Sequence, residues 1–173
     1  IDSLFESVMF DGPLGWDIGG TPALVNAYKR DEVLKFRDSH YDPANMTIVV
    51  AGKITEATRE RIAQFFGAKK SRTQKFGTYK PAAFGSVAKA DRFRVRHKAT
   101  DQAQLMLGFP AFGHTDPRQP AAVLLNTILG GSMSSRLFIQ VRERRGLAYN
   151  VRSGIDSYRD TGYAYVRAGL EAK

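Results

Sequence analysis

The side chains in this sequence that could do chemistry are three histidines, two glycine-rich turns, an arginine cluster followed by a tyrosine, and one strongly basic stretch. A metal site needs ligands brought together, and a helix does this by setting them one turn apart on one face, as in an H-x-x-E-H motif. His40, His97 and His114 lie far apart, and none has a second histidine or a glutamate at helical spacing. His40 therefore reads as a helix residue half-buried against a neighbouring strand, His97 as part of an alternating basic strand and His114 as a loop residue. No metal ligand is expected in this chain. The turns Gly15-Trp-Asp-Ile-Gly-Gly20 and Gly130-Gly131-Ser-Met-Ser-Ser135 lack the G-K-[ST] of a phosphate loop, and neither follows a strand as a dinucleotide fingerprint would. Gly130 and Gly131 keep a second possibility, because a flexible or close-approaching backbone before a helix often lines a ligand channel. Taken alone, Arg142, Arg144 and Arg145 read as cations compensating the negative end of a helix dipole, and Tyr149 as a strand residue packing in a core.

The elements that must hold these residues form two structured segments, 1–67 and 93–173, joined by a linker at 68–92. In the first, the apolar spacing of Leu4, Phe5, Val8 and Met9 predicts the end of a helix. Thr21-Pro22 supplies an N-cap and a first-turn proline for a short helix through Tyr28. Asp31 and Glu32 open another helix, on which Val33, Phe36 and His40 share a face, and Pro43 ends it. The β-branched run at 46–51 predicts a strand buried on both faces. Thr55 caps a last helix with Ile62, Phe65 and Phe66 toward the core and Gly67 at its end. The second segment predicts strands at 93–98 and 102–109 joined by a short turn, then a helix over 120–129. A helix capped by Ser134 or Ser135 follows, with Leu137, Phe138 and Val141 on its apolar side and Gly146 at its end. Two final strands, 147–155 and 162–170, join through a hairpin turn at 157–160. The fold class is therefore α+β, with helices packed on a mainly antiparallel sheet.

Composition narrows the rest. A chain of 173 residues, 43% hydrophobic and 25% charged, suits one core or two small ones. Without cysteine there are no disulfides, thiolate nucleophiles or cysteine-ligated metals. The formal charge of +9 is local: residues 69–98 carry ten Lys/Arg and one acid, leaving sixteen of each sign elsewhere. No apolar run approaches the roughly 20 residues a bilayer requires, so no membrane partner is expected. The chain starts at Ile1 without a basic-then-apolar leader, which fits a fragment or a processed product. The compartment stays open, with a soluble, cytoplasmic setting preferred.

The runs Leu129-Gly-Gly-Ser-Met-Ser-Ser-Arg-Leu-Phe138 and Val141-Arg-Glu-Arg-Arg-Gly-Leu-Ala-Tyr149 resemble the "LGGGMSSRLF…VREKRGLAY" signature of insulinase/pitrilysin-type zinc peptidases, including their processing-peptidase relatives. Gly12-Pro-Leu-Gly15 is similar to that family's "HPLG" turn with glycine for histidine. Gly20-Thr21 and Tyr41-Asp-Pro-Ala-Asn-Met-Thr-Ile-Val-Val-Ala-Gly52 resemble its "GT" and "YxPxNMxxxVAG" elements, and Asp160-Thr161-Gly162 falls where it has a similar tripeptide. The resemblance spans nearly the whole chain. It implies that 1–67 ends a first, zinc-bearing module and that 93–173 begins a second, substrate-enclosing one. Zinc would belong to the full-length protein, held by residues upstream of Ile1, and none would be bound here.

Arg142 and Tyr149 match the arginine and tyrosine that bind the substrate carbonyl and its developing oxyanion, and Gly130 and Gly131 match a loop that contacts entering peptide. Ser132 stands in place of that loop's third glycine. The implied partners are a peptide substrate and either the missing first-module segment or a partner subunit, with a dimer possible. Two other readings compete: a non-catalytic subunit of the same superfamily, and a nucleic-acid-binding module using Lys69, Lys70, Arg72 and Lys75 with interleaved aromatics. The absence of a nucleic-acid motif favours no nucleic acid as partner.

Overall fold

The computed structural model describes residues 1–67 and 92–171. The described residues fall into two compact units, 1–19 with 92–171, and 20–67.

The first unit is built on a three-stranded antiparallel sheet, β1 (Gln102–Ala111), β2 (Asn150–Ser157) and β3 (Gly162–Glu171), in the order β1-β3-β2. Leu105 stands across from Ala168, which stands across from Val151, and Gly108 across from Tyr165, which faces Gly154. Cross-strand partners share a face, so this register sorts the side chains into two sets. One set, Val151, Ser153, Val166 and Ala168, lies toward helix α5 (Gln119–Gly130) and contributes to an apolar cluster of Ala148, Val151 and Ala168, packed by Leu137, Val141, Val166 and Leu170. The other set meets helix α1 (Asp2–Met9), whose Phe5 lies 5.1 Å edge-on from Tyr163. Glu6 accepts hydrogen bonds from the Tyr163 and Tyr158 hydroxyls at 3.1 and 3.4 Å, and Arg167 pairs with Asp2 at 3.1 Å. Burial, then the neighbouring Asp156 and Glu6 carboxylates, raises the Tyr163 phenol above its ordinary pKa.

The β2–β3 hairpin forms where the sequence predicts it, closed by the Tyr158 amide on the Thr161 carbonyl at 2.8 Å. The strand predicted at 93–98 does not form among the described residues: these positions make no sheet pairing with any of them, Phe93 and Val95 are exposed, and β1 pairs with β3 instead of with a hairpin partner. Its alternation reflects arginines spaced by single apolar residues, a pattern that offers a core too little area to bury. Residues 1–19, read from sequence together with 20–67, pack within the sheet-bearing unit.

The second unit holds α2 (Pro22–Ala27), α3 (Arg30–His40) and α4 (Glu56–Phe66). Their starts follow the sequence: the Thr21 side chain accepts the Leu24 amide at 3.2 Å, and Thr55 accepts that of Thr58 at 3.4 Å. The apolar run at 46–51 does not become a strand, since it finds no pairing partner among the described residues, and Ile48, Val49 and Val50 are exposed. Phe65 and Phe66, expected in a core, are exposed as well, and only Ile62 of that trio is half-buried. The expected linker, 68–92, lies outside the described residues except for Arg92.

Candidate functional site

After α5 the chain turns through residues 131–135 and enters a π-helical segment, Phe138–Glu143, where the sequence predicts an ordinary α-helix. Its wider winding shows in the Arg144 amide, which donates five residues back to Ile139 at 2.9 Å. The exit is equally wide. Gly146, at φ 61, donates to the Arg142 carbonyl and Leu147 to that of Val141, both at 3.0 Å. Each closure spans one residue more than a Schellman end, and the left-handed position calls for glycine.

The turn delivers Ala148 into the core, 4% exposed, and leaves its neighbour Tyr149 outside at 76%. Tyr149 therefore sits in the connection just before β2, not on the strand predicted to begin at 147. Here the two residues seven positions apart meet: the Arg142 guanidinium carbon lies 5.0 Å from the centre of the Tyr149 ring and 4.8 Å from that of Phe138. A cation between two aromatic faces is held by about 0.5–1 kcal/mol per contact at an exposed site. Arg142 also lies 3.7 Å from the Glu143 carboxylate, a solvent-screened pair. From sequence alone Phe138 belongs only to the apolar side of its helix. Its spacing of four from Arg142 on one helical face is the signal that identifies it as a clamp.

Gly130 and Gly131, adjacent in the chain, have different surroundings. Gly130 is buried, and a Cβ there would come within 2.4 Å of the Ser153 backbone nitrogen, so its lack of a side chain lets α5 approach β2. Gly131 is exposed at the end of α5, beside the loop leading to the π-helical segment. The Ser153 hydroxyl donates to the Asn126 carbonyl at 3.1 Å and fastens helix to strand at the same point. Ser135, expected as a cap, is buried with its hydroxyl unpartnered among the described residues.

A zinc ion does not fit the residues described. No group of three or more His, Cys, Asp or Glu comes together among them. His97 and His114 are exposed. His40 is exposed too, stacked on Phe36 at 4.1 Å rather than tucked against a strand. No helix among the described residues is long and apolar enough to cross a membrane.

Comparison with known proteins gives this geometry its family context. An uncharacterized zinc protease of Streptomyces coelicolor is 39% identical over 98% of this chain and 38% of its own length. One of Bacillus subtilis is 33% identical over 99% of this chain and 40% of its own. The chain thus spans about two fifths of these curated relatives. Among solved structures, a protease from Helicobacter pylori superposes with a TM-score of 0.79 at 18% identity, covering 100% of this chain and 42% of that one. A peptidase M16 inactive domain from Pseudomonas fluorescens gives 0.77 at 23%, covering 99% and 41%. The family model described as the Peptidase M16 inactive domain matches residues 27–173, and this chain belongs to that insulinase/pitrilysin-type peptidase family.

Proposed function

We propose that this chain is the part of a zinc-dependent peptidase that presents Arg142 and Tyr149 to the carbonyl oxygen of a peptide bond undergoing hydrolysis. The observation that carries this reading is the 5.0 Å approach of the guanidinium to an exposed tyrosine ring through a glycine-permitted turn. As water adds to a carbonyl, negative charge grows on its oxygen. A fixed guanidinium and a phenol O–H donating to that oxygen stabilise it more than they stabilise the neutral carbonyl. Phe138 limits the arc that the arginine explores, and Gly131 lies in the loop that would run beside the peptide. The zinc ligands would belong to another part of the parent protein. Metal chemistry is thus outside what these residues do.

The test uses the full-length parent with a quenched fluorescent peptide. Arg142→Lys and Tyr149→Phe are each expected to lower kcat about 100-fold with KM little changed. Unaltered kcat in both would remove the assignment.

A second reading, a non-catalytic subunit that lends the pair to an active partner, is favoured by the matched model's description as an inactive domain. Mixing the full-length parent with a candidate catalytic subunit distinguishes the two, because only this reading requires activity to depend on both chains. The nucleic-acid reading rests on Lys69, Lys70, Arg72 and Lys75, which lie outside the described residues.

A further inference from the structure

The sheet face that carries α1 ends in a polar hollow of about 260 Å³, well away in register from the Gly108 position where Phe5 packs. Its walls are Gln102 and Gln104 from β1, Asn150 and Arg152 from β2, and Arg167 and Gly169 from β3. Arg152 stands directly across from Arg167 in the antiparallel register. Like charges so placed disfavour the pairing of their strands unless an anion lies between them. Arg167 has one, the Asp2 carboxylate, at 3.1 and 3.2 Å. Arg152 makes no side-chain hydrogen bond or ion pair with any described residue. No carboxylate lines the hollow itself. Of the described acids, Asp2 pairs with Arg167, and Glu171 stands across from Gln102 at the end of the strand.

The floor is open for a physical reason. A Cβ at Gly169 would stand 3.2 Å from the Gln102 Oε1 and 3.4 Å from the Gln104 Nε2, so the bare glycine leaves room beneath two carboxamides. The volume falls below the roughly 300–1,000 Å³ of a whole-ligand pocket. It suits one chain terminus or one side chain. A guanidinium fork matches a carboxylate in two parallel hydrogen bonds, and neighbouring amide N–H groups can donate to its remaining lone pairs.

We propose that this hollow is a carboxylate-binding subsite for peptides, with Arg152 as its principal cation and Arg167 as its second. The ligand is a peptide carboxylate, either the C-terminal group or an acidic side chain. This inference rests on the reading of the chain as peptide-handling, but it involves neither Arg142 nor Tyr149. It also assigns Asp2 a role, as an internal carboxylate competing for Arg167.

The experiment is fluorescence anisotropy with the 173-residue chain and three labelled peptides of one neutral sequence. The first has a free C-terminus, the second a C-terminal amide, and the third an amide plus one internal glutamate. Either carboxylate-bearing peptide should bind about tenfold more tightly than the neutral amide, the size of one charge-assisted hydrogen-bond pair. Whichever gains identifies the source of the carboxylate. Arg152→Gln should abolish the preference, Arg152→Lys should restore part of it, and Asp2→Asn should enlarge it. Circular dichroism checks that each variant is folded. Equal affinities for the three peptides, no measurable binding of any, or a preference that survives Arg152→Gln would overturn the subsite, as would competition by inorganic phosphate without discrimination among the peptides. The oxyanion pair is tested separately, by turnover of the Arg142→Lys and Tyr149→Phe variants. Their failure to affect turnover in the full-length parent would count against the oxyanion role alone.

Discussion

The two units use similar fractions of apolar sequence to different ends. The sheet-bearing unit buries Phe10, Ala148, Val151, Tyr163 and Ala168, whereas within 20–67 the buried residue is a polar one, Asp42, whose side chain accepts the Ala44 amide at 2.9 Å. The difference lies in the sheet. In the first unit three strands satisfy one another's backbone groups and offer each helix a broad apolar face. In the second, helices well capped by Thr21 and Thr55 form without such a face among the described residues, where the β-branched run at 46–51 stays unpaired. A partly open hollow of about 240 Å³, lined by Arg37 and Asp38 as well as by Met46, Ile48, Phe65 and Phe66, marks where side chains of this unit approach without closing a core. Capping and propensity thus suffice to start a helix, but they do not bury it.

The largest expected effect tests the tight joint of the first unit. Gly130→Ala forces a methyl against the Ser153 backbone, and urea unfolding should show a loss of about 2–3 kcal/mol, the scale of overpacking in a close-packed interior. A loss under about 0.5 kcal/mol, the range of ordinary surface substitutions, would mean that α5 is not seated on β2 as described. A smaller effect should come from the second unit. Phe65, 70% exposed, when changed to Ser, should shift the stability of this chain by no more than about 0.5 kcal/mol. In the full-length parent the same change should cost about 3 kcal/mol if that face is covered there. Equal costs in both settings would erase the contrast between the units.

The smallest effect is an acid-sensitive contact in the sheet-bearing unit alone. The Arg118 side chain and backbone amide both donate to Asp116, at 2.8–2.9 Å, and hold its carboxyl down to about pKa 2. Because the folded value lies below the ordinary 3.8, this contact stabilises the turn before α5 at pH above about 4. The contribution fades as the pH falls through 3.8 toward 2, where the folded carboxyl takes up its proton. NMR titration should give a midpoint near 2 for Asp116. A midpoint near 3.8 would show that the fork is not formed in solution.

How much of this was legible in the residues depends on the range of the interaction that decides each feature. Thr21-Pro22, Thr55 and the β2–β3 turn act within a few positions, so their elements follow from sequence. The strands expected at 46–51 and 93–98 needed a partner far along the chain, which local pattern does not supply. Within the candidate site, Arg142 and Tyr149 were marked by their motif. The turn that joins them was only half visible, since Gly146 was placed as the helix end but the π winding and the Phe138 clamp were not. Arg152 and Arg167 gave no local signal at all. They are fifteen positions apart, on separate strands, and become neighbours only through register.

By itself, then, the sequence determined the α+β class, the Thr21 and Thr55 caps, the family signature, and a cysteine-free composition that leaves no thiol chemistry. Tertiary structure alone decided which apolar runs found partners, why Gly130 must be bare, and that two arginines would face each other beside an uncharged floor. The physical reason is that caps and turns are satisfied by hydrogen bonds between near neighbours. Burial and strand register instead depend on which distant surface arrives to exclude water.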